Sequence, residues 1–179
     1  HHITLMKKYL EDKDYDALNE YLNNYQKSIP DEHIFFCENS AVNAILSYFS
    51  EQARTFGITY TVSASIPKHI SISETDLSIL FGNLLENAID ACNAQSGEDK
   101  KIIVRAKTDN HSLCVTIDNT FSGSLDIDQE GHFVSSKHEG LGLGTESIKS
   151  IAEKYGGVCQ FEANNGMFYA SVMCFKDHA

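Results

Sequence analysis

Apolar residues recur at helical spacing in some stretches of the chain and alternate in others, and this pattern lays out the elements. From Ile3 to Glu11, Leu5, Met6, Tyr9 and Leu10 predict a helix. Asp12-Lys13-Asp14 breaks it. Tyr15 to Ser28 reads as a second helix through Leu18, Tyr21, Leu22 and Tyr25. Two amphipathic helices with so short a connection predict an antiparallel hairpin. Ile29-Pro30-Asp31 marks a boundary, because the residue before proline resists helix.

Asn39 or Ser40 is placed to cap a long helix to about Phe56, with Val42, Ile45, Leu46, Phe49 and Ala53 inward and Gly57 closing it. Ile58 to Ile66 alternates as a strand. Ser73 caps the next helix, and Asp76 stands where a capping box places its acid. On that helix Phe81, Leu84, Leu85, Ala88 and Cys92 form an apolar stripe. Lys101 to Lys107 and Ser112 to Ile117 predict a strand hairpin. A polar stretch from Asp118 to Lys137 follows, long enough to read as a functional or mobile loop. Thr145 to Tyr155 is a helix with Ile148, Ile151 and Ala152 inward, stopped by Gly156-Gly157. Val158 to Ala163 and Phe168 to Phe175 are strands turned at Asn164-Asn165-Gly166.

Strands and helices do not alternate strictly. The expected architecture is α+β: a two-layer sandwich with a mixed sheet of about five strands against three helices, preceded by the helical hairpin. The hairpin alone buries too little to be stable, so it is expected to pack on the rest or on another copy.

A net charge of −11 argues against a nucleic-acid surface. It leaves an anionic ligand open, since backbone amides hold phosphate without a basic protein. Cys37, Cys92, Cys114, Cys159 and Cys174 have no CxxC spacing and read as reduced core residues of a cytoplasmic protein, not as a disulfide frame or zinc site. No apolar run reaches membrane-span length.

Three places carry candidate chemistry. Asn83, Glu86, Asn87 and Asp90 fall at i, i+3, i+4 and i+7 opposite the apolar stripe, and no Lys or Arg occurs between Lys68 and Lys100. Such a face is either chance acidity in solvent or a set of oxygens suited to magnesium. Gly140-Leu141-Gly142-Leu143-Gly144 lies between a polar loop and a helix start, which is a phosphate cradle in outline or a plain hinge. Asn119 ends a strand on the face of Val115 and Ile117, with Asp118 pointing the other way. It could read a heterocycle or merely close an Asx turn. Lys137 is the cation nearest the glycines. His111, His132 and His138 lack metal spacing, and no nucleophile motif is present.

NLLENAID, VTIDNTFSG, FVSSK and GLGLG, followed by a helix ending YGG, occur in this order within a matching stretch of about Glu38 to Phe175. This order resembles the N, G1, F and G2 boxes of the superfamily that joins gyrase, the heat-shock chaperone ATPase, sensor histidine kinases and mismatch-repair ATPases. The histidine kinases fit best. Asn83 stands where gyrase-type members carry the glutamate that activates water, and a kinase needs no such base.

The resemblance implies a Bergerat-type ATP-binding fold over residues 31–179, and a remnant of a dimerisation hairpin over residues 1–30. It implies ATP and Mg2+ as cofactors, with Asn87 holding magnesium and Asn83 beside the phosphates. Asn119 would read the adenine and Gly123 would close that box. Gly140, Leu141, Gly142, Leu143, Gly144 and Thr145 would form the phosphate cradle, and Phe133 and Lys137 the lid. No catalytic side chain is assigned beyond Asn83 as a candidate. Asn at 119 in place of the usual Asp, and Phe121 in place of a glycine, bear on nucleotide affinity. Asp90 stands where many kinases carry a cation.

These departures resemble the peptide-sensing, quorum-type kinases that signal to LytTR-type response regulators. The expected function is the catalytic region of a two-component sensor histidine kinase, with such a regulator as partner and dimerisation through the hairpin. The region would be cytoplasmic, tied to a membrane only by a sensor further upstream. His1 and His2 have no acid after them, so the phosphoacceptor histidine is expected to lie before the chain's first residue. The alternatives are a catalytically inactive nucleotide-binding or docking module of the same fold, or a serine-directed anti-sigma-factor kinase.

Overall fold

A computed structural model describes residues 2–27, 34–97, 99–122 and 143–175. The chain divides into two compact units, His1–Ile34 and Phe35–Ala179.

The first unit is a pair of helices, α1 (His2–Glu11) and α2 (Tyr15–Lys27). Asp14 Oδ1 accepts from the Ala17 amide at 3.0 Å and so caps α2. Tyr9 and Tyr21 bring their rings to 6.1 Å and hold the pair together.

The second unit carries a five-stranded sheet with strand order β1-β2-β3-β5-β4. Its elements are α3 (Ser40–Thr55), β1 (Thr59–Ser65), α4 (Glu74–Asn93), β2 (Lys101–Thr108), β3 (Ser112–Thr120), α5 (Leu143–Lys154), β4 (Val158–Asn164) and β5 (Met167–Phe175). β1 runs parallel to β2, and the other neighbours are antiparallel. The sheet is therefore mixed, as expected. Its inner face alternates into the core through Ile102, Val104 and Ala106 on β2, Leu113, Val115 and Ile117 on β3, and Ala170, Val172 and Cys174 on β5, all buried. The helices cover that face. Leu46 of α3, Leu77, Phe81 and Leu85 of α4, and Ile148 of α5 are fully buried. Each such side chain contributes about 1.5–3 kcal/mol by leaving water.

The helix ends follow from local chemistry. Asn39, not Ser40, caps α3, its Oδ1 accepting from the Val42 amide at 3.1 Å. Ser73 caps α4 through Asp76 N at 3.1 Å. All five residues of the expected apolar stripe on α4 are buried. Between α5 and β4 the chain passes so close to β5 that a β-carbon on Gly157 would stand 1.8 Å from the Met173 carbonyl oxygen. Only glycine fits there. In the β4–β5 hairpin, Asn165 (φ 49) and Gly166 (φ 76) make the two-residue turn that the sequence announces.

Two boundaries differ from the sequence pattern. β3 continues past Ile117 to Thr120, because Asp118 and Asn119 still pair with Ile103 and Ile102 on one side and Tyr169 and Phe168 on the other. The polar segment therefore begins later than Asp118. At its far end α5 starts at Leu143, so Leu143 and Gly144 are helical and do not belong to a connecting loop.

Candidate functional site

The site is assembled where the middle of α4 meets the start of α5. Helical period places Asn83, Glu86, Asn87 and Asp90 away from the core while Leu84, Leu85, Ala88 and Ile89 are buried. Asn83 and Asp90 are half-buried, and Glu86 and Asn87 are exposed. No basic residue stands in the last turn of α4.

Gly144, in the first turn of α5, faces two of these side chains. A β-carbon there would stand 3.5 Å from Asn87 Oδ1, 3.6 Å from Asn83 Oδ1 and 3.6 Å from Asn87 Nδ2. The bare backbone of a helix start and two primary amides thus border one space. A helix start carries N–H groups without intrahelical acceptors and the positive end of the dipole. Amide oxygens supply neutral ligands for a hard cation. Chemically, the place can hold an anion and a cation together.

At the end of β3, Asn119 is 3% exposed and turns inward beside Ile102 and Phe168. Its Nδ2 donates to the Thr120 carbonyl at 3.0 Å. That bond orients the amide, since a carbonyl can only accept, and leaves Oδ1 as the acceptor presented elsewhere. Asp118 points to the opposite face of the sheet, where Arg105 Nη1 donates to it at 2.6 Å. Asp118 is thus held on the face away from α4. The C-terminal end of α4 is tied to the same region. The Cys92 thiol donates to Lys101 O (3.5 Å) or Thr120 O (3.4 Å), and burial pushes its pKa up.

A polar node joins the other ends of α4 and α5. Ser73 Oγ, Lys154 Nζ and the Tyr155 hydroxyl all donate to Asp76 Oδ2, at 2.6, 2.8 and 2.6 Å. The Tyr155 oxygen in turn accepts from the Ser73 amide at 3.1 Å. Lys154 foremost, then Ser73 and Tyr155, hold the Asp76 carboxyl down from 3.8 to about 2. Sequence reading found the capping role of Asp76 but not Lys154 or Tyr155. Those partners lie 78 and 79 positions away, and no local spacing announces them.

Of the residues picked out from sequence, Asn83, Asn87 and Gly144 lie together. Asn119 is buried at a strand end, and Thr145 follows Gly144 in α5 half-buried. Leu143 begins α5. Gly123, Phe133, Lys137, Gly140, Leu141 and Gly142 lie outside the described residues. Among the described residues no group of three His, Cys, Asp or Glu side chains is disposed to hold a metal ion. No described helix is long and apolar enough to cross a membrane.

The chain is similar to a probable C4-dicarboxylate sensor kinase of Bacillus subtilis (strain 168), at 24% identity over 138 residues, covering 72% of this chain and 25% of that protein. It therefore spans about a quarter of that relative's length. In three dimensions it resembles the nucleotide-free catalytic domain of the histidine kinase ThkA, with a TM-score of 0.59 and 22% identity over 77% of this chain and 92% of that one. The structure of ThkA in complex with the response regulator protein TrrA also matches, with a TM-score of 0.55 and 17% identity over 94% of this chain and 50% of that one. At such identities the likeness establishes the fold, which is that of histidine kinase catalytic domains. Residues 72–174, more than half of the chain, match the family model described as GHKL domain, and the chain belongs to that family.

Proposed function

We propose that residues 35–175 bind Mg-ATP and form the catalytic region of a two-component sensor histidine kinase. The observation that carries this reading is the space shared by Asn83, Asn87 and the side-chain-free Gly144. A triphosphate lying along it would meet the peptide N–H groups at the start of α5 with its phosphate oxygens. The donor set also suits magnesium. With no cluster of acids or histidines among the described residues, the protein would supply one amide oxygen, from Asn87. Phosphates and water would fill the other positions, as this ion prefers. Bound there, magnesium would offset the phosphate charge.

Asn119 would accept from the exocyclic amine of adenine through Oδ1. Gly123, Lys137, Gly140, Leu141, Gly142, Leu143 and Thr145 would complete the nucleotide's surroundings. The two side chains that border Gly144, Asn83 and Asn87, are amides and not bases, as befits a transferase that must avoid water attack. The phosphorus–oxygen bond to ADP breaks as a bond to an imidazole nitrogen forms. The chain contributes alignment and charge stabilisation. The histidine would come from a dimerisation hairpin of which α1 and α2 form part. The phosphoryl group would pass on to a response regulator of LytTR type, and the sensed signal would enter through a membrane-bound region, as in quorum-type kinases.

Incubating the domain with γ-labelled ATP and an acceptor-bearing hairpin tests this reading. Acid-labile, base-stable label on the hairpin is expected. Nucleotide binding without transfer would instead point to an inactive binding module.

A further inference from the structure

Resting on that reading, we propose that Asp76 is a positioning residue, whose node with Ser73, Lys154 and Tyr155 sets the register of α5 along α4 and so holds Gly144 opposite Asn83 and Asn87. Both ends of the helix pair are visible. The first turn of α4 meets the end of α5 at the node, and the middle of α4 meets the start of α5 at Gly144. The helices are therefore antiparallel. Asp76 to Asn83 and Asn87 spans about 10 to 16 Å of α4, and Gly144 to Lys154 about 15 Å of α5, at 1.5 Å per residue. The two contacts lie at opposite ends of one lever.

Between them lie buried apolar side chains. Ile148, Ile151 and Ala152 of α5 and Leu77, Leu80 and Leu84 of α4 are buried. Such packing favours close approach but is non-directional, so it resists sliding only through shape. A slip of one residue would move Gly144 by about 1.5 Å and turn it by about 100°. That is enough to bring a side chain of a neighbouring residue into the space before Asn87. The node opposes the slip with directional bonds of 2.8 and 2.6 Å from Lys154 and Tyr155 to a single oxygen of Asp76, which Ser73, on the α4 side, holds in place at 2.6 Å. It is also closed on itself, since the Tyr155 oxygen accepts from Ser73 N while its proton goes to Asp76. The node's hydrogen bonds join only Ser73, Asp76, Lys154 and Tyr155 and reach none of Asn83, Asn87, Asn119 or Gly144, so among the described residues it acts through the helix pair.

The test uses Asp76→Asn and Tyr155→Phe, with Val62→Ala on edge strand β1 as a destabilised control remote from the node. The Gly144 amide and the Asn83 and Asn87 side-chain amide resonances are followed without nucleotide, at a temperature where all variants are folded. The expected result is that they shift in both node variants and stay in place in Val62→Ala. ATP affinity should then fall about tenfold in the node variants alone, as a small misplacement of binding groups implies. Resonances unmoved in folded Tyr155→Phe, or moved equally in Val62→Ala, overturn the inference. So does undiminished ATP affinity in both node variants. Resonance shifts confined to the node variants, together with no ATP binding by the wild type, sink the nucleotide reading and leave the positioning role standing.

Discussion

The Oδ1 atom of Asn87 stands 3.5 Å from the point at which a side chain on Gly144 would begin. That distance is ordinary contact, so an alanine fits without a clash. Gly144→Ala should therefore fold, and alanine's helix preference should raise stability by up to about 1 kcal/mol. The added methyl would fill the space that the phosphates need. Stability and nucleotide affinity are expected to move in opposite directions, read by thermal melting and by calorimetry. An alanine variant with full affinity would mean that this space is not used.

Asn119→Asp probes the buried strand end. The amide's donation to Thr120 O would become a repulsion between two oxygens when the acid is ionised. At 3% exposure the variant should lose about 1–3 kcal/mol near neutral pH. Burial raises the pKa of such an acid, and its protonated form donates to Thr120 O again. Part of the loss should therefore be recovered as pH falls toward about 5. Denaturant midpoints across pH check this, and a pH-independent difference contradicts it.

Asp76 gives the opposite pH signature. Its folded pKa, about 2, lies below the ordinary 3.8. The stability it confers is thus complete above about 3.8 and lost as pH falls through about 2. The full shift corresponds to roughly 2 kcal/mol, reduced to about 1 by solvent around Lys154. Lys154 is 60% exposed. The stability gap between the wild type and Asp76→Asn should narrow between pH values of about 4 and 2. A constant gap would place the contribution elsewhere.

Gly157→Ala should be among the most damaging small changes in the domain. Its β-carbon would stand 1.8 Å from a backbone oxygen, which cannot swing aside as a side chain can. A loss of about 3 kcal/mol or more is expected by chemical denaturation. A loss below about 1 kcal/mol would mean that the α5–β4 connection relaxes freely.

The sequence disclosed much of this arrangement because two periodicities did the sorting. The 3.6-residue period separated Asn83 and Asn87 from Leu84, Leu85 and Ala88. The alternation of β3 turned Asn119 inward and Asp118 outward, as found. Neither period says where an element stops. The extension of β3 to Thr120 depends on partners on β2 and β5, and the start of α5 at Leu143 lies within a run of glycines that favours no helix by propensity. The Asp76 node was hidden for a related reason. Ser73 and Asp76 have the spacing of a cap, and Lys154 and Tyr155 that of an ordinary helix end. Only folding makes them one group.

The most direct test of the central claim is calorimetric titration of the domain with ATP, in the presence and absence of Mg2+, for the wild type and Asn87→Ala. The account predicts magnesium-dependent binding by the wild type that is abolished, or weakened by about 100-fold, when the Asn87 amide is removed. Equal binding by both chains, or none by the wild type, would contradict it.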